Sequence, residues 1–459
     1  MAVAKVGLKT AVLLVIANMI GSGVFATTGY MAASMTSESI LLFTWLLGGL
    51  LALCGALSYG ELAAAMPRSG GEYHYLSKLY HPAVGFMSGF ISLIVGFGAP
   101  IAGAALVFGQ YGFTILGVEN AVLFSVGGWQ FQLAQLFALL LVLGLTWLHS
   151  QDIRKGAATQ NAFTILKIVL VLVFILAGLL FLDGEGHSFS VLPTGADWAL
   201  LGTPAFGICL VLVFFAYSGW NAAAYISGEV RNPGKNVPRS LLIGTLVVST
   251  LYLLINYVFF KAMQPEALAG KGDFAGHVAH QIFGGAGGRI MSGLIAFALI
   301  SSTSSMVMAG PRVTASIGED FPIYRLLARK TQSGSPRAAL LLQLAVASAM
   351  ILYGDVFVIF QYIGLTLSLF AALTVGGVFI YRYRYGRPAQ ARVPLYPIPP
   401  ILFLGLCLWL IVFSVYDFGP NGGFQTEVPL ISLCTLVAGF LVYLLAYRYD
   451  KREELKARA

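Results

Sequence analysis

The sequence is poor in charge: Lys, Arg, Asp and Glu make up 10% of its 459 residues, against roughly 25% in an ordinary soluble protein. So few ionisable side chains cannot supply a water-facing skin for a chain of this length, and a hydrophobic content of 58% equally argues against disorder. Histidine is scarce, with six residues. No buried His, paired Asp or Cys-His arrangement offers the constellation an intramembrane enzyme needs, so no catalytic residue is expected. Cys54, Cys209, Cys407 and Cys434 all fall inside apolar runs without paired spacing, which removes a disulfide framework and a metal knuckle. His277 and His280 stand three apart in a Gly-rich outer stretch with no third ligand, and neither a metal nor a cofactor is expected.

What the sequence has instead is long apolar runs, and its mean hydropathy is +0.83. Residues 162–182 carry Lys167 as their only charge; at about 1.5 Å per residue such a helix crosses a hydrocarbon core of about 30 Å. Membrane barrels use strands of about ten alternating residues, so unbroken runs exclude them. About twelve spans are read, at 8–34, 39–65, 83–112, 130–150, 160–182, 203–228, 239–263, 287–317, 337–354, 356–382, 397–418 and 427–447. The chain is thus expected to be an all-α membrane protein embedded in the lipid bilayer.

The net charge of +8 is explained by topology. Of the 27 Lys and Arg residues, only Lys261, Lys271 and Arg289 fall outside when the N-terminus is placed in the cytoplasm, and Lys167 lies within a span. Both termini are therefore expected in the cytoplasm, and no nucleic-acid partner is implied. The first run, after Lys5 and Lys9, is too long for a signal peptide and reads as a retained helix.

Two interruptions break membrane rules. Gly21-Ser22-Gly23 sits in the middle of span 1, where two glycines lower the cost of leaving helical geometry; close packing through small residues is the alternative. Phe214 to Asn221, through Phe215-Ala216-Tyr217-Ser218-Gly219-Trp220, does the same in span 6. The two lie five spans apart, as an inverted repeat of five-helix halves produces. Facing broken helices offer amide N–H groups at one half-helix start and carbonyls at another's end, which suits a zwitterion such as an α-amino acid.

Further motifs join these: Tyr59-Gly60-Glu61-Leu62, Pro67-Arg68-Ser69-Gly70-Gly71-Glu72-Tyr73, Glu229-Val230-Arg231-Asn232-Pro233 with Pro238, and Pro311-Arg312-Val313. With Gly21 to Phe25 and Phe215 to Asn221, they give the chain a resemblance to the amino acid-polyamine-organocation (APC) superfamily, in its L-type exchanger and bacterial permease branch. The motifs span residues 7 to about 320. The resemblance implies a leucine-transporter-like architecture with helices 1 and 6 broken. Residues 1–182 would form the first repeat, 203–382 the second, 397–447 two further helices and 448–459 a cytoplasmic tail.

It also implies roles. Gly21, Ser22 and Gly23 would hold a substrate carboxylate. Ala216, Ser218, with Gly219 beside them, and the Ile20 carbonyl would receive the ammonium. Phe215 would act as a gate, with core packing as the alternative. Lys167 lies about ten residues into span 5, too deep to reach the interface; an unpaired cation there costs about 3 kcal/mol or more, so it should face inward and carry function. Relatives with a lysine at this place use it where sodium-coupled relatives bind sodium, which would set Lys167 against carbonyls of residues 18–21 and hydroxyls among Ser301, Ser302, Thr303 and Ser304. Sodium independence follows, although such hydroxyls also suit a sodium site. Glu61 and Glu229 read as helix termini or as inner-gate acids paired with Arg68, Arg231 or Arg312.

The expected function is secondary active transport of amino acids by alternating access, proton-coupled or exchanging. Small to medium neutral substrates fit best, since no acidic side chain stands near mid-membrane; cationic amino acids or polyamines are the alternative, through cation–π contact with Phe215 or Trp220. A channel would call for a polar pore lining, against which two asymmetric breaks argue. No loop cysteine is available for a covalent partner, so no obligatory partner subunit is expected.

Overall fold

The computed structural model describes residues 6–116, 120–151, 153–182, 188–271, 273–331, 334–388, 390–416 and 426–458, except the side chains of 114, 153–159 and 453–458. Helices dominate because lipid offers no partner to main-chain N–H and C=O groups, and a helix pairs them within its own segment. The first span is two helices, α1 (Leu8–Met19) and α2 (Ser22–Ser34). The second is α3 (Glu38–Ala65), whose first turn is capped by the Ser37 hydroxyl accepting from Ile40 N. A short helix, α4 (Glu72–Leu79), leads into the third, which runs through α5 (Pro82–Ile91), a π-helical stretch at Ser92–Gly98 and α6 (Ala99–Leu116).

An antiparallel hairpin, β1 (Val122–Val126) and β2 (Trp129–Gln132), then connects to α7 (Leu133–Gln151) and α8 (Ile153–Phe181). The sixth span is again split, into α9 (Pro204–Tyr217) and α10 (Ala222–Tyr225). Next come α11 (Pro233–Ala262), α12 (Pro265–Leu268), and the long α13 (Phe274–Asp320), bent at Gly284. The chain ends with α14 (Arg325–Ala328), α15 (Arg337–Tyr353), α16 (Val356–Tyr385), α17 (Ile398–Val415) and α18 (Glu427–Arg458).

Among the described residues, ten helical stretches are long and apolar enough to cross a membrane, and α9 and α15 are shorter apolar helices. The protein is an all-α membrane protein, and each span read from the sequence falls on helix. Two connections differ from expectation. Residues 122–132, assigned to a loop and a helix start, pair as a hairpin because Val122 to Gln132 has β-forming residues on both sides of a Gly127-Gly128 turn. His277 and His280 stand on the first part of α13 rather than in a loop; Gly276 beside them and the glycines from Gly284, where the helix bends, hid it.

The spans are unequally enclosed. In their most apolar stretches, 83% of residues of the third span and 78% of the first are buried, against 28% in α17 and 17% in α18. The first, third, sixth and eighth spans thus make the centre, while α17 and α18 present Leu408, Leu430, Leu433 and Leu441 to lipid.

Candidate functional site

Two helix breaks pack against each other at this centre. At the end of α1, Ile20 turns to ψ 98° and Gly21 to φ −146°, ψ −149°, and α2 starts afresh at Ser22. The first amide groups of a helix have no acceptor within it, so α2 directs unpaired N–H donors and a positive dipole end toward the break. In the sixth span α9 ends at Tyr217 and Gly219 adopts φ +92°, a conformation that disfavours any side chain.

The contact between the breaks is main chain to main chain. A Cβ on Gly23 would fall 2.5 Å from Ala216 Cα, and one on Gly219 3.0 Å from the Asn18 carbonyl carbon. Glycine is required at both places because backbone, which cannot swing aside, occupies the room a side chain would need. Gly21, Ser22, Gly23, Ala216, Ser218 and Gly219 thus come together within one small region, and Phe215 lies at its outer edge.

Lys167 on α8 is fully buried and reaches this region from the side. Its Nζ donates to Ala17 O at 3.0 Å, Ile20 O at 2.6 Å and Ser302 Oγ at 3.0 Å, which uses all three ammonium protons. Ser302 Oγ also lies 2.8 Å from Ile20 O, as a donor. Of the four hydroxyls named as candidates, Ser302 alone meets Lys167. Thr303 turns back to Leu299 O, Ser304 meets His149 Nε2, and the Ser301 hydroxyl and carbonyl face Gln160. The Ile20 carbonyl, expected to receive an ammonium from substrate, already accepts from the protein's own.

Tyr252 on α11 was not legible as part of the site. Its hydroxyl stands 2.5 Å from Met19 O and 3.1 Å from Ala216 O, bridging the two breaks with a single proton. Four residues on, Asn256 accepts from Thr28 Oγ1 at 2.6 Å. A Tyr and an Asn one turn apart in an apolar helix are the trace this left in the sequence.

On the outer side Phe215 stacks on Phe360 of α16, ring centroids 4.1 Å apart, and Tyr30 adds edge contact to Phe360. On the basic side, which charge assigns to the cytoplasm, the closure is polar. Glu229 pairs with Arg312 at 3.3 Å, as expected, and Arg312 also bonds Met308 O. Arg68 pairs with Asp320 at 2.8 Å, and Tyr73 donates to the same carboxylate at 2.7 Å. Val6 exchanges two main-chain bonds with Glu229 and Arg231, each 2.8 Å.

Glu61 departs from expectation. It pairs with none of Arg68, Arg231 and Arg312; Arg382 of α16 grips it with two bonds of 2.6 Å, and Val393 N adds a third. The Glu61 side chain has no exposure, so this pair ties α3 to α16 and to the segment before α17 inside the protein. The sequence reading lacked Arg382 because the two lie 321 residues apart.

Comparison with known proteins agrees with this geometry. A family model described as "Amino acid permease" matches residues 6–440. The chain is 30% identical to the "Serine/threonine exchanger SteT" of Bacillus subtilis (strain 168), over 87% of this chain and 88% of that one. It is 27% identical to the human "Asc-type amino acid transporter 1", over 89% of this chain and 77% of the relative. It is 26% identical to the human "Large neutral amino acids transporter small subunit 2", over 98% and 81%. A multi-pass chain with two facing helix breaks, matched over nearly its whole length, belongs to the amino acid permease family and is an amino acid transporter of the cell membrane.

Proposed function

We propose that this protein exchanges small to medium neutral amino acids by alternating access and without sodium. The contact of the two broken spans at Gly23 and Ala216 is the observation that carries this reading: it gathers free N–H donors and carbonyl acceptors at one place, as a zwitterion requires. The carboxylate is assigned to the amide groups of Gly21, Ser22 and Gly23. The ammonium is assigned to Ser218 and to the remaining lone pair of the Ala216 carbonyl, since Lys167 and Ser302 already occupy both lone pairs of the Ile20 carbonyl. Phe215 closes over the bound substrate, with Glu229 and Glu61 on the inner side. Ser22 and Ser218 give polar room for serine or threonine, and the printed name of SteT supports that choice.

Lys167 stands in for a metal ion in this scheme. An ammonium bonded to two carbonyls of a broken helix and a serine hydroxyl fills an oxygen cage and repels a second cation. Residues 1–182 and 203–382 are assigned to two inverted repeats, and the single chain is proposed to work without a partner subunit or an enzymatic step. Uptake of labelled serine into proteoliposomes, with internal amino acid, sodium and a proton gradient varied separately, tests this. Uptake should require internal amino acid and ignore sodium. Sodium-dependent uptake into empty vesicles, or faster uptake of lysine or a polyamine, overturns the reading.

A further inference from the structure

Below the breaks, on the basic side, lies a buried carboxylate that the proposed transport scheme does not use. Glu72 opens α4 and is 4% exposed. The Tyr59 hydroxyl of α3 donates to its Oε1 at 2.5 Å, and Asn221 Nδ2, in the break of the sixth span, donates at 3.0 Å. Asn221 also reaches the Tyr225 hydroxyl of α10 at 3.0 Å. Glu72 therefore joins the second span, the α4 connection and the inner half of the sixth span.

Its surroundings hold neutral groups. The titratable side chains that face it are the phenols of Tyr59 on α3, Tyr75 on α4 and Tyr225 on α10. The packed helix α5 carries no titratable residue. The nearest cations of α16 are committed elsewhere, Arg382 to Glu61 and Arg384 to Leu79 O. On α13, Arg312 is held by Glu229, and Asp320 by Arg68 and Tyr73. An ionised carboxylate enclosed by neutral donors is costly unless it is hydrated or protonated.

We propose that Glu72 is a proton-binding site of the inner gate, protonated when the gate is closed and ionised when the cytoplasmic side opens and water reaches it. The proton comes from cytoplasmic water as the gate closes and returns to it as the gate opens, so it sets the rate of exchange and leaves its direction alone. This rests on the alternating-access reading above. Burial pushes the Glu72 carboxyl up to about 7, against the lowering by the bonds from Tyr59 and Asn221. In water a glutamate titrates near 4.3. The carboxyl is thus raised in the closed state, so closure is favoured at low pH and loses ground as pH rises from about 4.3 to 7, after which opening levels off.

The test reads the gate without substrate, so its failure is separable from failure of the transport assignment. Ile226, 6% exposed at the end of α10, is replaced by cysteine in a Cys434→Ser background, and methanethiosulfonate labelling from the cytoplasmic side is measured from pH 5.5 to 8.5. Rates are divided by those of an exposed Arg387→Cys control, which removes the pH dependence of the thiol itself. Labelling should rise about tenfold between pH 6 and 8, with most of the rise below 7. Glu72→Gln should label slowly at every pH. Tyr59→Phe, which removes a donor to the ionised form, should move the midpoint upward. A flat profile with Glu72 in place, the same profile in Glu72→Gln, or an unmoved midpoint in Tyr59→Phe each overturns the proposal.

Discussion

The two ends of the central region are closed by different physics. Outside, the closure is aromatic: Phe215 lies flat on Phe360, and Tyr30 touches Phe360 edge-on. Inside, it is a set of polar links, Glu229–Arg312, Arg68–Asp320, Tyr73–Asp320 and the Val6 bridge. Aromatic contact is indifferent to salt and proton concentration, whereas solvent-exposed ion pairs weaken as added salt shortens the Debye length from its value of about 8 Å at physiological ionic strength. The outer side should therefore answer to the size of what is bound, and the inner side to the composition of the cytoplasm. Between them Lys167 and Tyr252 tie the break of span 1 to its neighbours and belong to neither closure.

The sharpest break of this comparison comes from removing what stands between the two closures. Lys167→Ala leaves the buried Ala17 carbonyl and Ser302 hydroxyl oxygen without their donor and the Ile20 carbonyl with Ser302 alone, at about 1–3 kcal/mol for each lost bond; exchange should fall about a thousandfold while size-exclusion behaviour stays normal, and wild-type exchange would remove the lysine from the mechanism. Gly23→Ala pushes a methyl group onto Ala216, where neither backbone can yield, and overpacking of about 1–3 kcal/mol corresponds to a loss of up to about a hundredfold in serine exchange. Phe215→Ala attacks the outer closure alone. Its apparent KM for serine should rise about tenfold at every salt concentration, since a stacked pair contributes about 0.5–1.5 kcal/mol beyond its buried area; unchanged kinetics would make it ordinary packing. The smallest effect belongs to Asp320→Asn on the inner side. Arg68 and Asp320 are 43% and 35% exposed, so screening holds the pair to about 0.5 kcal/mol; exchange should change less than about threefold, and the difference from wild type should vanish in high salt.

What was readable in the sequence follows a physical division. Span positions were legible because the bilayer imposes a length on every apolar run, and the breaks because glycine and serine at mid-membrane have no lipid-facing use. Lys167 stood out for the same reason, as a cation where none is tolerated without partners. Its partner Ser302, one of five adjacent hydroxyl residues, was named only together with Thr303 and their neighbours because helix phase around the bend at Gly284 was not known. The Arg382 partner of Glu61, the Phe360 partner of Phe215 and the bridging Tyr252 were missed, since each depends on two spans distant in sequence meeting in space. The hairpin at 122–132 was overlooked for another reason: its apolar residues extend the hydrophobic signal of the flanking helices.

The Val6 bridge has a consequence for how the inner closure drifts over evolutionary time. Its two hydrogen bonds run from Val6 N to Glu229 O and from Arg231 N to Val6 O, and neither draws on a side chain. Substitutions other than proline at these three positions leave the donors and acceptors in place, so selection can alter charge around the inner closure while the latch persists unaltered. Proline at position 6 or 231 is the exception, because it alone among common replacements erases an amide that the latch uses.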